Sequence, residues 1–180
     1  MYASEEWFKA GTAFRIRAED EFGNSSETDV LPSRCLRPGF FVNKLSGKCL
    51  DVKGNPGVDN ESALQLWECE FSQPSTTDQR WGITSDGFIQ SAPSGKCIDV
   101  KGSPGVENEA PLQLWDCEFG NASTDQRWEL TSDGYIRNTR SGKCIDVKGN
   151  PGVEDESPLQ LWNCEFGDPY TDQRWVLRGE

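Results

Sequence analysis

The sequence predicts an all-β fold, a threefold barrel assembled from three repeats of 47 or 48 residues. Three observations carry that expectation. The segment Ser46-Gly47-Lys48-Cys49-Leu50-Asp51-Val52-Lys53-Gly54 recurs almost unchanged at 94–102 and at 141–149, and a fixed period of this length marks a repeat architecture. Within each repeat, short apolar-rich runs are bounded by Gly, Pro and Asn, and no stretch sustains a helical period. The composition agrees: 34% hydrophobic residues, with 18 glycines and 10 prolines among 180 residues, suit a turn-rich chain.

Taken in chain order, residues 1–39 fall outside the repeats. Within them, Ala13 to Ser25 alternates like an edge hairpin. Each repeat then opens on an apolar pair, Phe40-Phe41, Phe88-Ile89 or Tyr135-Ile136. A second strand is expected at Cys49-Leu50-Asp51-Val52, followed by a turn at Pro56-Gly57. Leu64-Gln65-Leu66-Trp67 makes a third strand, and Asp78-Gln79-Arg80-Trp81 leads into a fourth. Ser85-Asp86-Gly87, between Trp81-Gly82-Ile83 and Phe88-Ile89, is a hairpin signature, and Ser132-Asp133-Gly134 repeats it. The third repeat has no following hairpin partner. Phe40-Phe41-Val42 is therefore expected to pair with Trp175-Val176-Leu177, closing the structure and removing its sheet edges. Propellers use repeats near this length but need four or more blades, so three repeats point to a barrel.

Charge and missing residue types exclude several functions. The net charge of −12 repels phosphate backbones, and no basic stripe offsets it, so no nucleic-acid partner is expected. No apolar run reaches the length of a bilayer span. Histidine is absent, which removes Ser-His-Asp and Cys-His catalysis and the usual zinc sites. The carboxylates repeat threefold, without the unique asymmetric pair that glycoside hydrolysis needs, so no enzyme is expected.

Six of the seven cysteines stand in pairs 20 residues apart, Cys49 with Cys69, Cys97 with Cys117 and Cys144 with Cys164. Bridges within each repeat, in an oxidising compartment, are the expected use, each contributing about 3 kcal/mol in the chain-entropy picture. A zinc site is the alternative, but the C-x-x-C pairing that usually builds one is missing. Cys35 has no partner in this scheme. Asn24, Asn60 and Asn121 begin Asn-X-Ser triplets compatible with secretion. No signal peptide is visible at the polar start, and the chain is expected to belong to a larger secreted, multidomain protein.

The pattern Cys-(Leu/Ile)-Asp-Val, Gln-Leu-Trp-X-Cys and Gln-Arg-Trp resembles the ricin B-chain-like (QxW) lectins across residues 40–180. That resemblance implies a β-trefoil, a six-stranded barrel capped by three hairpins, with repeats near 40–87, 88–134 and 135–180 and one sugar pocket possible in each. It implies a carbohydrate-binding module, with galactose or N-acetylgalactosamine the usual sugar of the family. Xylan-type binding beside a hydrolase and use as a protein-contact trefoil are the alternatives. Residues 1–39 resemble the last strands of a fibronectin type III domain over fewer than twenty residues; a flexible remnant is the other reading.

Strand alternation sorts the repeated side chains. Leu64 and Leu66 share one face, Gln65 and Trp67 the other; with the leucines in the core, an aromatic ring and an amide stand side by side, suited to a pyranose. Trp115 with Gln113 and Trp162 with Gln160 repeat the arrangement. Gln79 and Trp81 share a face, and the family places this Trp, with Trp128 and Trp175, in the core; Gln79, Gln126 and Gln173 would then be buried amides in need of partners. Asp51, Asp99 and Asp146 occupy the position at which the family's Asp grips two hydroxyls. The chain departs from the family in carrying Asp78, Asp125 and Asp172 where Asn is frequent. Two carboxylates are therefore expected to converge on each pocket, a repulsive arrangement unless calcium, Arg80 or Lys53 lies between them.

Overall fold

The computed structural model describes residues 14–19, 25–30 and 38–179, apart from 55, 74, 75, 103 and 104. Asn24 and Cys35 lie outside the described residues. The chain divides into two compact units, Met1–Arg34 and Cys35–Glu180. In the first, β1 (Phe14–Glu19) pairs antiparallel with β2 (Ser25–Val30), Phe14 opposite Val30.

In the second unit each repeat supplies four short strands. Repeat 1 has β3 (Gly39–Asn43), β4 (Cys49–Val52), β5 (Leu64–Trp67) and β6 (Arg80–Ile83). Repeat 2 has β7 (Ile89–Ser91), β8 (Cys97–Val100), β9 (Leu112–Trp115) and β10 (Trp128–Leu130). Repeat 3 has β11 (Ile136–Asn138), β12 (Cys144–Val147), β13 (Leu159–Trp162) and β14 (Trp175–Arg178). The described residues contain no helix.

The first and last strands of the repeats form the barrel. β3 meets β6, β6 pairs with β7 through the Ser85-Asp86-Gly87 turn, and β10 pairs with β11 in the same way. Single bridges, Phe88 to Arg127 in repeat 2 and Tyr135 to Arg174 in repeat 3, link the start and end of a repeat as Phe40 opposite Arg80 does in repeat 1. The ring closes where β14 pairs with β3, Trp175 opposite Asn43 and Leu177 opposite Phe41. That is the closure expected from the sequence.

The two middle strands of each repeat make a cap hairpin: β4 with β5, β8 with β9, β12 with β13. The three caps interlock about the pseudo-threefold axis. Ser62 O accepts from Leu114 N, Ala110 O from Leu161 N, and Ser157 O from Leu66 N, each at 2.9 Å. Every repeat thus bonds the next, and the third returns to the first.

One side of each cap strand fills the core. Leu50, Leu64 and Leu66 are buried with their equivalents from the other repeats, around Phe41, Trp81, Trp128 and Trp175. The tryptophans bury their polar edge only because a carbonyl meets it: Trp81 Nε1 donates to Leu50 O at 3.0 Å, and Trp128 Nε1 to Ile98 O at 3.1 Å. Disulfides join Cys49 to Cys69, Cys97 to Cys117 and Cys144 to Cys164.

Candidate functional site

The cap hairpins position the candidate residues by register. Asp51 stands directly opposite Gln65, and Cys49 opposite Trp67. The same pairs recur as Asp99 with Gln113 and Cys97 with Trp115, then Asp146 with Gln160 and Cys144 with Trp162. Each aromatic ring therefore sits against its own disulfide, beside a carboxylate held by a cross-strand amide.

Distances repeat with the register. Gln65 Nε2 donates to Asp51 Oδ2 at 2.8 Å, Gln113 Nε2 to Asp99 Oδ1 at 2.7 Å, and Gln160 Nε2 to Asp146 Oδ2 at 2.8 Å. The other oxygen of each carboxylate accepts from the second glutamine: Gln79 at 3.1 Å, Gln126 at 3.1 Å, Gln173 at 3.0 Å. These second glutamines have no exposure at all. As expected of buried amides they also tie backbone together. Gln79 Nε2 reaches Glu68 O at 2.9 Å, and Gln79 Oε1 accepts from Glu70 N at 2.9 Å. A threonine fixes the turn before each: Gln79 N donates to Thr77 Oγ1, Gln126 N to Thr124 Oγ1, Gln173 N to Thr171 Oγ1. The sequence carried that signal too, since Thr precedes Asp-Gln-Arg-Trp in all three repeats.

The second carboxylates converge on the first, as the Asp-for-Asn departure implied. Asp51 and Asp78 lie in mutual side-chain contact, and so do Asp99 with Asp125 and Asp146 with Asp172. Asp78 Oδ2 also accepts from Gly57 N at 2.8 Å, and Asp172 Oδ2 from Gly152 N at 2.7 Å. That loop can approach only because residue 57 is glycine; a Cβ there would stand 2.5 Å from Val52 Cγ1. The expected turn at Pro56-Gly57 thus delivers a backbone N–H into the pocket.

Burial dominates the acid–base behaviour of all six carboxyls and raises each above the ordinary carboxylate range. Asp51 is pushed up to about 7, the glutamine hydrogen bonds opposing the rise and the charge of Asp78 adding to it. Asp99 and Asp172 reach about 6 for the same first reason.

Each pair is met by N–H donors and a raised proton affinity. Arg80 turns elsewhere, with Nη2 donating to Pro38 O at 3.3 Å. Lys53 lines the first pocket, where its Nζ stands 3.9 Å from Glu156. Among the described residues no three acidic or thiol side chains gather as metal ligands. Calcium takes six to eight oxygens, and the two carboxylates of a pocket are already engaged by amide donors, so this donor set does not fit calcium well.

Two of the pockets are open clefts. The first, about 530 Å³, is lined by Asp51, Gln65, Trp67, Asp78, Thr77 and, from repeat 3, Glu156. The second, about 380 Å³, is lined by Asp99, Gln113, Trp115, Asp125, Asn121 and, from repeat 3, Arg140. Glu156 and Arg140 were not foreseen, because a neighbouring repeat supplies them and no local motif marks them. The tryptophans are half-buried rather than fully exposed, and Gln65, Gln113 and Gln160 are each only 7% exposed. In all three, Oε1 is enclosed without a hydrogen-bond partner.

Comparison with known proteins agrees with this fold. Among solved structures, the C-terminal half of an earthworm R-type lectin in complex with GalNAc superposes with a TM-score of 0.65 at 18% identity, over 81% of this chain and 100% of that one. ThreeFoil, a designed threefold symmetric protein, gives 0.65 at 24% identity over 79% and 99%. An exo-β-1,3-galactanase from Clostridium thermocellum gives 0.64 at 29% identity over 86% of this chain and 32% of that one. No curated protein sequence matches the chain. The family model of the ricin-type β-trefoil lectin domain matches residues 37–179. The chain therefore belongs to the ricin-type β-trefoil lectin family, with a carbohydrate-binding lectin module as its β-trefoil.

Proposed function

We propose that this module binds galactose-type glycans, galactose or N-acetylgalactosamine, through one pocket in each repeat, and catalyses nothing itself. The observation that carries the reading is the threefold recurrence of one group: a carboxylate gripped by two amides, next to a half-buried tryptophan. Asp51, Asp99 and Asp146 accept from two adjacent sugar hydroxyls, since each carboxylate oxygen keeps a lone pair beyond its amide bond. Trp67, Trp115 and Trp162 stack on the apolar face of the pyranose. The glutamines and Asp78, Asp125 and Asp172 hold the first carboxylate in place. The GalNAc-bound earthworm lectin and the galactanase, whose chain includes a similar domain, support this choice of sugar.

Three pockets on one rigid body give avidity toward clustered glycans even where each is weak. Three disulfides support an extracellular setting. The N-terminal hairpin, read as the end of a fibronectin type III domain, supports the reading of the lectin as one part of a larger multidomain chain.

Calorimetric titration with lactose, run with calcium and again with a chelator, tests the reading. Saturable heat for up to three sites per chain, unchanged by chelator, is expected. Loss with chelator would make the aspartates metal ligands. No heat in either run would refute galactose pockets, and competition on xylan or on a protein partner would then decide between the alternatives.

A further inference from the structure

The second pocket carries a chemical group that the first lacks. Its wall includes Asn121, which opens the triplet Asn121-Ala122-Ser123. At the same place repeat 3 has Asp168-Pro169-Tyr170, and the corresponding stretch of repeat 1 contains no asparagine. Asn-X-Ser is an acceptor for N-linked glycans wherever a chain enters a eukaryotic secretory pathway.

Conformation favours this triplet over the other described one. Asn121, Ala122 and Ser123 are all exposed, on the turn after Glu118-Phe119-Gly120. Asn121 Oδ1 accepts from Ser123 N at 2.9 Å, an Asx turn that brings the serine beside the acceptor amide. Asn121 Nδ2 spends one N–H on Glu118 Oε2 at 2.8 Å, leaving the other for substitution. Asn60 is placed differently. It is half-buried at the seam between repeats 1 and 2, with Nδ2 on Asp116 Oδ2 at 3.0 Å and Oδ1 enclosed. A sugar tree there would wedge the repeats apart.

We infer that Asn121 is an N-glycosylation site and that its glycan closes the repeat-2 pocket, converting a three-site lectin into a two-site one. In the transfer, Asn121 Nδ2 forms a bond to C1 of a lipid-diphosphate-linked oligosaccharide. The C1–O bond to the diphosphate breaks, the lipid diphosphate leaves with the electron pair, and the amide gives up one proton to the transferase. The first sugar is then bonded to the wall that also carries Trp115, Gln113 and Asp99. Free galactosides must compete with a tethered group at very high effective concentration. The consequence for binding rests on the pocket reading above; the modification does not.

The test secretes the 180-residue chain from a eukaryotic host behind a supplied leader, beside an Ala122→Pro variant. Proline between Asn and Ser abolishes the acceptor while leaving both residues in place, and repeat 3 already carries Pro169 at this position. Peptide mass mapping after amidase treatment in heavy-oxygen water should report Asn121 occupied and Asn60 bare. An unmodified Asn121 overturns the inference, even if sugars bind. Lactose titration should give two sites for the glycosylated chain and three for Ala122→Pro. Equal site numbers above zero, with Asn121 occupied, overturn the gating. Silence from both chains, and from unglycosylated bacterial protein, would sink the pocket reading and with it the gating, while mass mapping still decides the modification.

Discussion

Gln79 holds Asp51 from 28 residues away: its Nε2 donates to Asp51 Oδ1 at 3.1 Å while also donating to Glu68 O at 2.9 Å. One amide therefore joins the pocket carboxylate, the strand end after Trp67 and, through Oε1, the N–H of Glu70. Replacing Gln79 with Ala leaves one oxygen of buried Asp51, the Glu68 carbonyl and the Glu70 N–H without this partner. The expected loss of stability is about 3 kcal/mol, read from denaturant unfolding of the whole chain. Site 1 should weaken with it while sites 2 and 3 keep their affinity, because Gln126 and Gln173 serve those independently.

Asp78→Asn should stabilise the protein at pH 8. The substitution keeps an oxygen for Gly57 N and places an N–H donor against Asp51, where a second carboxylate now stands. Removing the like charge should add about 1 kcal/mol at pH 8 and little at pH 5, where the pair already holds a proton. Thermal melts at the two pH values measure the difference. Equal gains at both would show that carboxylate repulsion is not the cause.

Much of this was legible in the sequence because the three repeats say the same thing three times. The barrel closure of Phe41 on Leu177, the three disulfides and the outward step of Trp67 relative to Leu66 all follow from period and alternation. What was not legible comes from contacts between repeats. Gln65 faces away from the core, yet it is buried, because it bridges Pro158 of repeat 3 and lies under the amide layer on Asp51. Glu156 and Arg140 enter pockets that belong to other repeats, and no spacing within one repeat reveals them. The threonine turns were written plainly enough, at the residue before each Asp-Gln-Arg-Trp.

Trp67→Ala, Trp115→Ala and Trp162→Ala together should abolish measurable binding while leaving the fold intact. Each ring is half-buried and stands outside the hydrophobic core. Losing stacking should weaken each site by tenfold or more, about 1.4 kcal/mol, and the loss of avidity multiplies that on clustered glycans. Unchanged binding with a native far-ultraviolet spectrum would show that the rings do not meet the sugar.

Cys97→Ser with Cys117→Ser should cost about 3 kcal/mol, from the freedom that an opened loop of this length restores to the unfolded chain. Cys97 lies opposite Trp115 on the neighbouring strand, so the ring loses its backing as well. Site 2 should weaken, and sites 1 and 3 should not. A uniform loss at all three would mean that the bridge acts through global stability alone.

Acidity should move stability and sugar binding in opposite directions. Asp51 titrates near 7 in the folded protein, and Asp99 and Asp172 near 6, all above the ordinary carboxylate value. Between that value and about 7 the folded state holds protons that the unfolded chain has released. The stability these groups contribute is therefore fully present in acid below the ordinary value, and it is lost as pH rises through 6 to 7. The free protein should melt higher at pH 5.5 than at pH 8. Sugar binding uses the ionised acceptors, so it must expel those protons, and affinity should fall by up to tenfold per pH unit per proton below the raised values. Calorimetry in two buffers of different ionisation heat would detect proton release on binding at pH 6 and almost none at pH 8.5. Equal heats in both buffers at pH 6 would show that the raised carboxyls stay protonated in the complex, and the hydroxyl-gripping role would then pass from Asp51, Asp99 and Asp146 to the glutamines beside them.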